Sequence, residues 1–245
     1  MRVTRVHVEL RLAAGIEIEL PESATNHLAR VLRLGIGDTC VLFNGDGHDY
    51  PAHLVEAGKR VVRVEVGHGI AINNESPLRL ILLQGITRGE KMDLILQKAT
   101  ELGVASLHPL YSQRSEVRLD GARADKRLAH WRGVVVSACE QSGRARVPDV
   151  TMPLPLAQTL AAMPDGGLRL ILDPDADASL SQLTLDPSQP VCLAVGPEGG
   201  WSPQDLDQLR AAGFSGMRLG PRVLRTETAG IAALAALQAF HGDLG

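Results

Sequence analysis

Only three cysteines occur, Cys40, Cys139 and Cys192, far apart and odd in number, so neither a disulfide framework nor a cysteine-based zinc cluster is expected. Long apolar runs are missing too. No uncharged stretch approaches the ~18 residues of a membrane span, and the start, Met1-Arg2-Val3-Thr4-Arg5-Val6, has no signal-peptide core. A soluble cytoplasmic protein with no membrane partner is the expectation. Familiar catalytic loops are absent as well. There is no G-x-x-x-x-G-K-[ST] phosphate cradle, and no G-x-G-x-x-G follows the early strands, which disfavours a dinucleotide enzyme or a Rossmann-type methyltransferase. Gly213-Phe214-Ser215-Gly216 is one residue short of a nucleophile elbow. The eight histidines are scattered, and Pro51 between His48 and His53 spoils helical pairing, so no metal is expected.

What is present is ordinary in bulk. The 245 residues suffice for one large or two modest domains, with 44% hydrophobic and 22% charged residues. The net charge of −3 does not suggest a nucleic-acid partner, but its distribution is uneven. Residues 112–148 carry 8 Lys/Arg against 4 Asp/Glu, whereas 149–245 carry 5 against 11. The basic segment, which includes Arg114, Arg118, Arg123 and Arg144, is either a phosphate-binding patch or a set of solvated helix faces.

The texture changes near residues 70–77. Before it, Val3–Val8, Ile16–Leu20 and Arg60–Val66 alternate with the period of half-buried strands, and only Ser23–Leu34 reads as helix, with Leu28, Val31 and Leu32 on its apolar side. A small β-rich domain, a barrel, is expected over 1–72. The polar stretch Asn73-Asn74-Glu75-Ser76-Pro77 reads as a linker. From there strands and helices alternate. Strands are expected at Leu78–Leu83, Val104–His108 closed by Pro109, Leu168–Leu172, Val191–Val195 and Met217–Leu219. Helices are expected after Gly89, over Arg123–Cys139, after the Ser202-Pro203 cap, and from a Thr226 cap onward. Such alternation predicts an α/β domain over 73–245 with a parallel sheet covered on both faces.

Two loops in that domain carry the strongest functional signal. Gly196-Pro197-Glu198-Gly199-Gly200 directly follows the strand Val191–Val195, and Leu219-Gly220-Pro221 leads into Arg222-Val223-Leu224-Arg225-Thr226-Glu227-Thr228-Ala229. Glycine at a strand–helix junction lets backbone approach a ligand, and the helix start beyond it offers unpaired N–H groups. Two such junctions point to a crevice at the carboxyl ends of parallel strands. A lone glycine of this kind is usually a turn former and nothing more.

These two segments resemble the knot motifs of SPOUT-class RNA methyltransferases, most closely the enzymes that make N3-methyluridine in bacterial small-subunit (16S) ribosomal RNA. Asn26–Arg33, Arg88–Met92 and Ala138–Arg144 match further family segments in order, so the resemblance spans essentially the whole chain. Gly230 is the one departure, at a position where a better helix former is expected. The resemblance implies a PUA-like N-terminal barrel for RNA and a C-terminal parallel-sheet domain tied in a trefoil knot. It also implies a homodimer and S-adenosylmethionine held in the knot, with 16S ribosomal RNA or the small subunit as partner. Close dimer packing would suit the Ala-rich helix Ile231–Phe240, although burial within one chain explains that composition equally well.

On this reading the adenosine is met by Leu172, Gly196, Glu198, Gly199, Leu219, Gly220, Leu224, Arg225 and Thr226, largely through backbone groups. Methylation at N3 requires an unpaired or extruded base, loss of the N3 proton, and a cation near the flanking oxygens. Arg225 is the expected stabiliser of the uridine anion, and Glu198 or Glu227 the proton acceptor. Glu227 has the competing role of favouring the helix N-terminus electrostatically. RNA contacts are expected from Arg2, Arg5, His7, His27, Arg30 and Arg33 in the first domain and from Arg88, Arg114 and Arg144 nearer the knot. An RNA methyltransferase acting at another position and a non-catalytic RNA-binding protein on the same scaffold remain alternatives.

Overall fold

A computed structural model describes residues 4–180 and 183–245, so Arg2 lies outside the described residues. The chain divides into two compact units, Met1–Glu75 with Cys139–Val147, and Ser76–Ala138 with Pro148–Gly245.

The first unit is a six-stranded sheet built from β1 (Arg5–His7), β2 (Glu17–Glu19), β3 (Thr39–Phe43), β4 (His48–Ala57), β5 (Val62–Val66) and β6 (Ile70–Ala71), in the order β1-β3-β4-β5-β2 with β6 on β4. β1 runs parallel to β3, and the other pairings are antiparallel. Alternation directs Val62, Val64 and Val66 inward with Leu42, Leu54 and Val6, leaving Arg63 outside. Pro51 sits within β4, so His48 and His53 share a strand and form separate pairs with Asp46 and Glu65. The expected helix Ser23–Leu34 is different in kind. A short α1 (Glu22–Thr25) passes into a π-helical segment, Asn26–Val31, with Leu32 N–H bonded to the His27 carbonyl. The wider winding breaks the three-and-four spacing. Leu28 is therefore buried, while Val31 and Leu32 are 69% and 40% exposed.

The second unit holds a parallel sheet of β7 (Leu80–Gly85), β8 (Ser106–Tyr111), β9 (Asp149–Val150), β10 (Leu154–Pro155), β11 (Leu168–Leu172), β12 (Val191–Val195) and β13 (Ser215–Met217). Its order is β10-β8-β7-β12-β11-β13, with β9 on β8. β7 and β12 are buried along their whole length, the pattern of strands covered on both faces. Pro109 lies inside β8, opposite Gln84, instead of closing the strand. On its other side Pro109 falls between the β9 pairing at Ser106 and Leu107 and the β10 pairing at Leu110 and Tyr111, an edge-like position for a residue without an N–H.

Helix α2 (Lys91–Glu101) buries Met92, Ile95, Leu96 and Ala99 and ends before Gly103, whose φ of 79° suits a helix stop. Helix α3 is Gly121–Ser142, and α4 (Leu156–Ala161) has no strong periodicity in the sequence. Helix α5 (Pro203–Ala211) carries a complete capping box between Ser202 and Asp205. The last helix, α6 (Thr226–His241), is capped at Arg225 without a side-chain bond. Thr226 is not the expected cap, because its hydroxyl donates across the unit to the Gly196 carbonyl at 2.5 Å. Gly230 is buried within α6, facing Val195 and Gln84.

Among the described residues no helix is long and apolar enough to cross a membrane, and no cluster of His, Cys, Asp and Glu could hold a metal ion. The three cysteines are free and buried.

Candidate functional site

The sheet of the second unit grows outward in both directions from the β7–β12 pair, the kind of switch point at which ligands bind beyond the strand ends. A cavity of about 550 Å³ lies there. Leu172 at the end of β11, Val195 at the end of β12 and Met217 at the end of β13 contribute to its wall, followed by residues of the loops behind them. Parallel strands make this possible, since all their carboxyl ends, and hence the loops that leave them, emerge on one side.

The residues singled out for the cofactor converge on this cavity: Leu172, Gly196, Glu198, Leu219, Gly220, Leu224, Arg225 and Thr226 line it. Gly199 does not, although its neighbours Glu198 and Gly200 do. Gly199 instead meets the loop after β8, and its carbonyl accepts from Arg114 Nη1 at 3.0 Å. Gly200 (φ 67°) and Gly220 (φ 78°) use the left-handed backbone that only glycine adopts readily.

A half-buried hydrogen-bond chain ties the two loops to the sheet. Gln84 Nε2 donates to Thr226 Oγ1 at 3.1 Å, and the Thr226 hydroxyl in turn donates to the Gly196 carbonyl. Gly85 is packed so closely that a Cβ there would stand 2.5 Å from the Pro197 nitrogen.

The three candidate catalytic side chains, Glu198, Arg225 and Glu227, all line the cavity, but the carboxylates differ in surroundings. Glu198 Oε1 accepts the backbone N–H of Arg88 at 3.0 Å and the Lys91 ammonium at 3.2 Å. Burial pushes the Glu198 carboxyl up, but the Arg88 N–H, its own backbone and Lys91 outweigh it and hold the group below the usual carboxylate range. Glu227 is in the first turn of α6, and its Oε2 is buried without a hydrogen-bond partner. Trp201 Nε1, on another lining residue, is also buried and unpaired.

The sequence reading did not single out Lys91, Asp173, Asp175, Trp201, Arg222 or Val223 as site residues, and all of them line the cavity. Asp173 and Asp175 directly follow the Leu172 strand end, which was the available signal. Nothing local distinguishes Trp201.

The candidate RNA residues are dispersed. Arg5 is an interior group of the first unit: it pairs with Asp49 at 2.6 Å, donates to the Cys139 and Arg144 carbonyls, and stacks 4.5 Å from the Phe43 ring centre. Arg144 is buried and paired with Glu75 at 2.5 Å. His7 is half-buried edge-on to Phe43; desolvation lowers its pKa against the opposing pull of Glu9 and Glu140. His27, Arg30 and Arg33 are exposed in the first unit, and Arg33 takes a positive φ of 58° where the π-helical segment ends. Arg88 and Arg114 are exposed in the second unit, with Arg88 paired to Glu116.

A family model described as an RNA methyltransferase domain matches residues 74–238, and one described as an RNA methyltransferase PUA domain matches 20–67. The chain is similar to the crystal structure of ribosomal RNA small subunit methyltransferase E from Neisseria gonorrhoeae bound to S-adenosyl methionine, with 40% identity, TM-score 0.94 and 100% of both chains covered. A putative methyltransferase from Legionella pneumophila, solved with SAM, superposes with TM-score 0.95 at 37% identity over 100% of both chains. Ribosomal RNA small subunit methyltransferase E of Buchnera aphidicola is 31% identical over 99% of this chain and 98% of its own length. With a parallel α/β domain, a PUA-like domain and matches that run end to end, the chain belongs to the ribosomal RNA small subunit methyltransferase E family of RNA methyltransferases.

Proposed function

We propose that the protein uses S-adenosylmethionine to methylate N3 of one uridine in 16S ribosomal RNA, with 1–72 as the RNA-binding domain and 73–245 as the methyltransferase domain. The observation that carries the reading is the cavity at the ends of β11, β12 and β13. Its volume of about 550 Å³ suits a small-molecule cofactor. Its walls combine apolar Leu172, Val195 and Leu224 with the carboxylates of Asp173, Asp175 and Glu227, a fit to an adenosine that carries a positive sulfur. Trp201 Nε1 and Glu227 Oε2 are buried polar atoms still without partners, as expected where a ligand completes the hydrogen bonding.

When bound, the cofactor supplies a methyl group already activated by its sulfonium. The protein's share is alignment, proton removal and charge stabilisation. Backbone groups of the 196 and 219 loops read the adenine. The Gln84–Thr226–Gly196 chain keeps those loops in register. Arg225, exposed at the mouth, stabilises the negative charge that spreads over the uracil oxygens as N3 loses its proton. Between the two acids, Glu227 is the better acceptor. Glu198 is committed to Arg88 and Lys91, and those bonds make it a weak base. Because N3 lies on the pairing edge, the uridine enters unpaired or extruded.

RNA is held by exposed His27, Arg30, Arg33, Arg88 and Arg114, while Arg5 and Arg144 shape the first domain from within. The homodimer that the resemblance implies is assigned to the outer side of α6, where Ala239 is exposed beside Phe240, itself 63% exposed. The trefoil knot is taken over from the resemblance; the loops it would join meet at the sheet, where Gly85 packs on Gly196 and Pro197 and Thr226 bonds the Gly196 carbonyl. The test is nucleoside mass spectrometry of 16S RNA and of small subunits incubated with the protein and S-adenosylmethionine. N3-methyluridine at one position is expected. Methylation of a different atom, or none, overturns the proposal.

A further inference from the structure

Lys91, the first residue of α2, has no role in the reading above except as a partner of Glu198. Its ammonium stands 3.2 Å from Glu198 Oε1 and 4.0 Å from Glu227 Oε2. The start of α2, the Gly196–Gly200 loop and the first turn of α6 thus meet at one cation. The two distances are not equivalent. At 3.2 Å the ammonium donates a hydrogen bond to Glu198, whereas at 4.0 Å it acts on Glu227 only by its field. Glu227 Oε2 is left buried and free of hydrogen bonds.

We propose that Lys91 is a positioning residue for methyl transfer: it clamps Glu198, and with it the Gly196–Gly200 loop, onto α2, and it draws the Glu227 carboxylate toward the same point without engaging its Oε2. Two carboxylates near one ammonium are held together by it, and without that cation they repel, which would move the Gly196–Gly200 loop away from the first turn of α6. The proposal's second half rests on the assignment of Glu227 in the proposed function. In that step the uridine N3–H bond breaks, its electron pair stays on the base, and the proton passes to the Glu227 carboxylate.

An ordinary surface pair would have little effect. This one differs because the side chain of Glu227 is only 16% exposed and that of Lys91 35%, so solvent screens the interaction incompletely. Its contacts also lie on the cavity wall. The other charged groups lining the cavity are Asp173 and Asp175 after β11, and Arg222 and Arg225 before α6. Both arginines are exposed, so neither replaces Lys91 between the two acids.

The test compares full-length Lys91→Met, Lys91→Arg and Glu227→Gln with the parent chain. Amide hydrogen exchange over 196–201 reads the clamp without turnover. The split between kcat and KM for RNA reads the placing of Glu227. Calorimetric binding of S-adenosylhomocysteine reads the cavity. Lys91→Met is expected to exchange faster over 196–201, to bind more weakly, and to lose roughly tenfold in kcat with KM for RNA little changed. Lys91→Arg is expected to restore all three. Melting curves check folding, and Lys91→Gln repeats the comparison if the methionine variant melts early. Parent-like exchange and kcat in Lys91→Met, or equal impairment in Lys91→Arg, overturn the proposal. Full turnover by Glu227→Gln overturns the proton assignment and the second half with it, while exchange alone still decides the clamp.

Discussion

Two glycine-to-alanine substitutions, both beside the Gly196 loop, have opposite expected signs. A Cβ at Gly85 would stand 2.5 Å from the Pro197 nitrogen and 2.6 Å from its Cδ. Those are backbone and ring atoms that cannot rotate away, so β7 or the loop must move. Overpacking of this kind costs about 1–3 kcal/mol. For a chain of this size each kcal/mol corresponds to about 2–4 °C, so Gly85→Ala should melt roughly 2–12 °C lower. It should also bind S-adenosylhomocysteine more weakly, because the loop that moves is the cavity wall. At Gly230 the nearest atoms to a new Cβ are Val195 Cγ2 at 3.5 Å and Gln84 Oε1 at 3.6 Å, ordinary contact distances. Alanine there removes a flexible residue from a helix interior and should add about 0.5–1 kcal/mol. Scanning calorimetry and titration calorimetry on the two variants decide the matter. Gly85→Ala with parent stability and affinity, or Gly230→Ala melting below the parent, would refute the packing described for this wall.

Three further outcomes are expected. Arg5→Met should destabilise the first unit by about 3–5 kcal/mol, since it strands a largely buried Asp49 carboxylate; a thermal melt within 2 °C of the parent would contradict this. Thr226→Val should weaken cofactor-analogue binding severalfold by orphaning the Gly196 carbonyl and one N–H of Gln84, whose Nε2 keeps its bond to the Gly85 carbonyl, with little change in RNA affinity, as read by calorimetry and filter binding. Because Glu198 titrates below its ordinary value in the folded chain, its stabilising share is present above the unfolded-state pKa and disappears as pH falls through the folded value. The melting difference between the parent and Glu198→Gln should therefore be full at neutral pH and vanish in acid, and a difference that grew on acidification would reverse the assigned sign.

The sequence revealed those features whose physics is local. Alternation marked β5, the Ser202-Pro203 cap marked the start of α5, and Met92, Ile95, Leu96 and Ala99 marked the buried side of α2. Glycine loops after apolar strands marked two walls of the cavity. What stayed hidden depends on partners distant in the chain. Thr226 looks like a helix cap because serine and threonine usually are, yet its hydroxyl finds the Gly196 carbonyl 30 positions away. Arg5 and Arg144 look like RNA contacts because arginines near a terminus or in a basic stretch are generally exposed. Only the fold supplies Asp49, Glu75 and the Phe43 ring to hold them inside. Lys91 showed no periodic or compositional signal, because its importance comes from two glutamates more than 100 residues later. The π-helical winding at Asn26–Val31 likewise left no trace in an apolar spacing that fits an ordinary helix.

Hydrogen exchange of the intact chain with and without S-adenosylmethionine tests the cavity assignment most directly. Protection confined to 172–175, 195–201 and 217–229, the segments that wall the cavity, is the predicted result. Protection centred elsewhere, or none at saturating ligand, would contradict it.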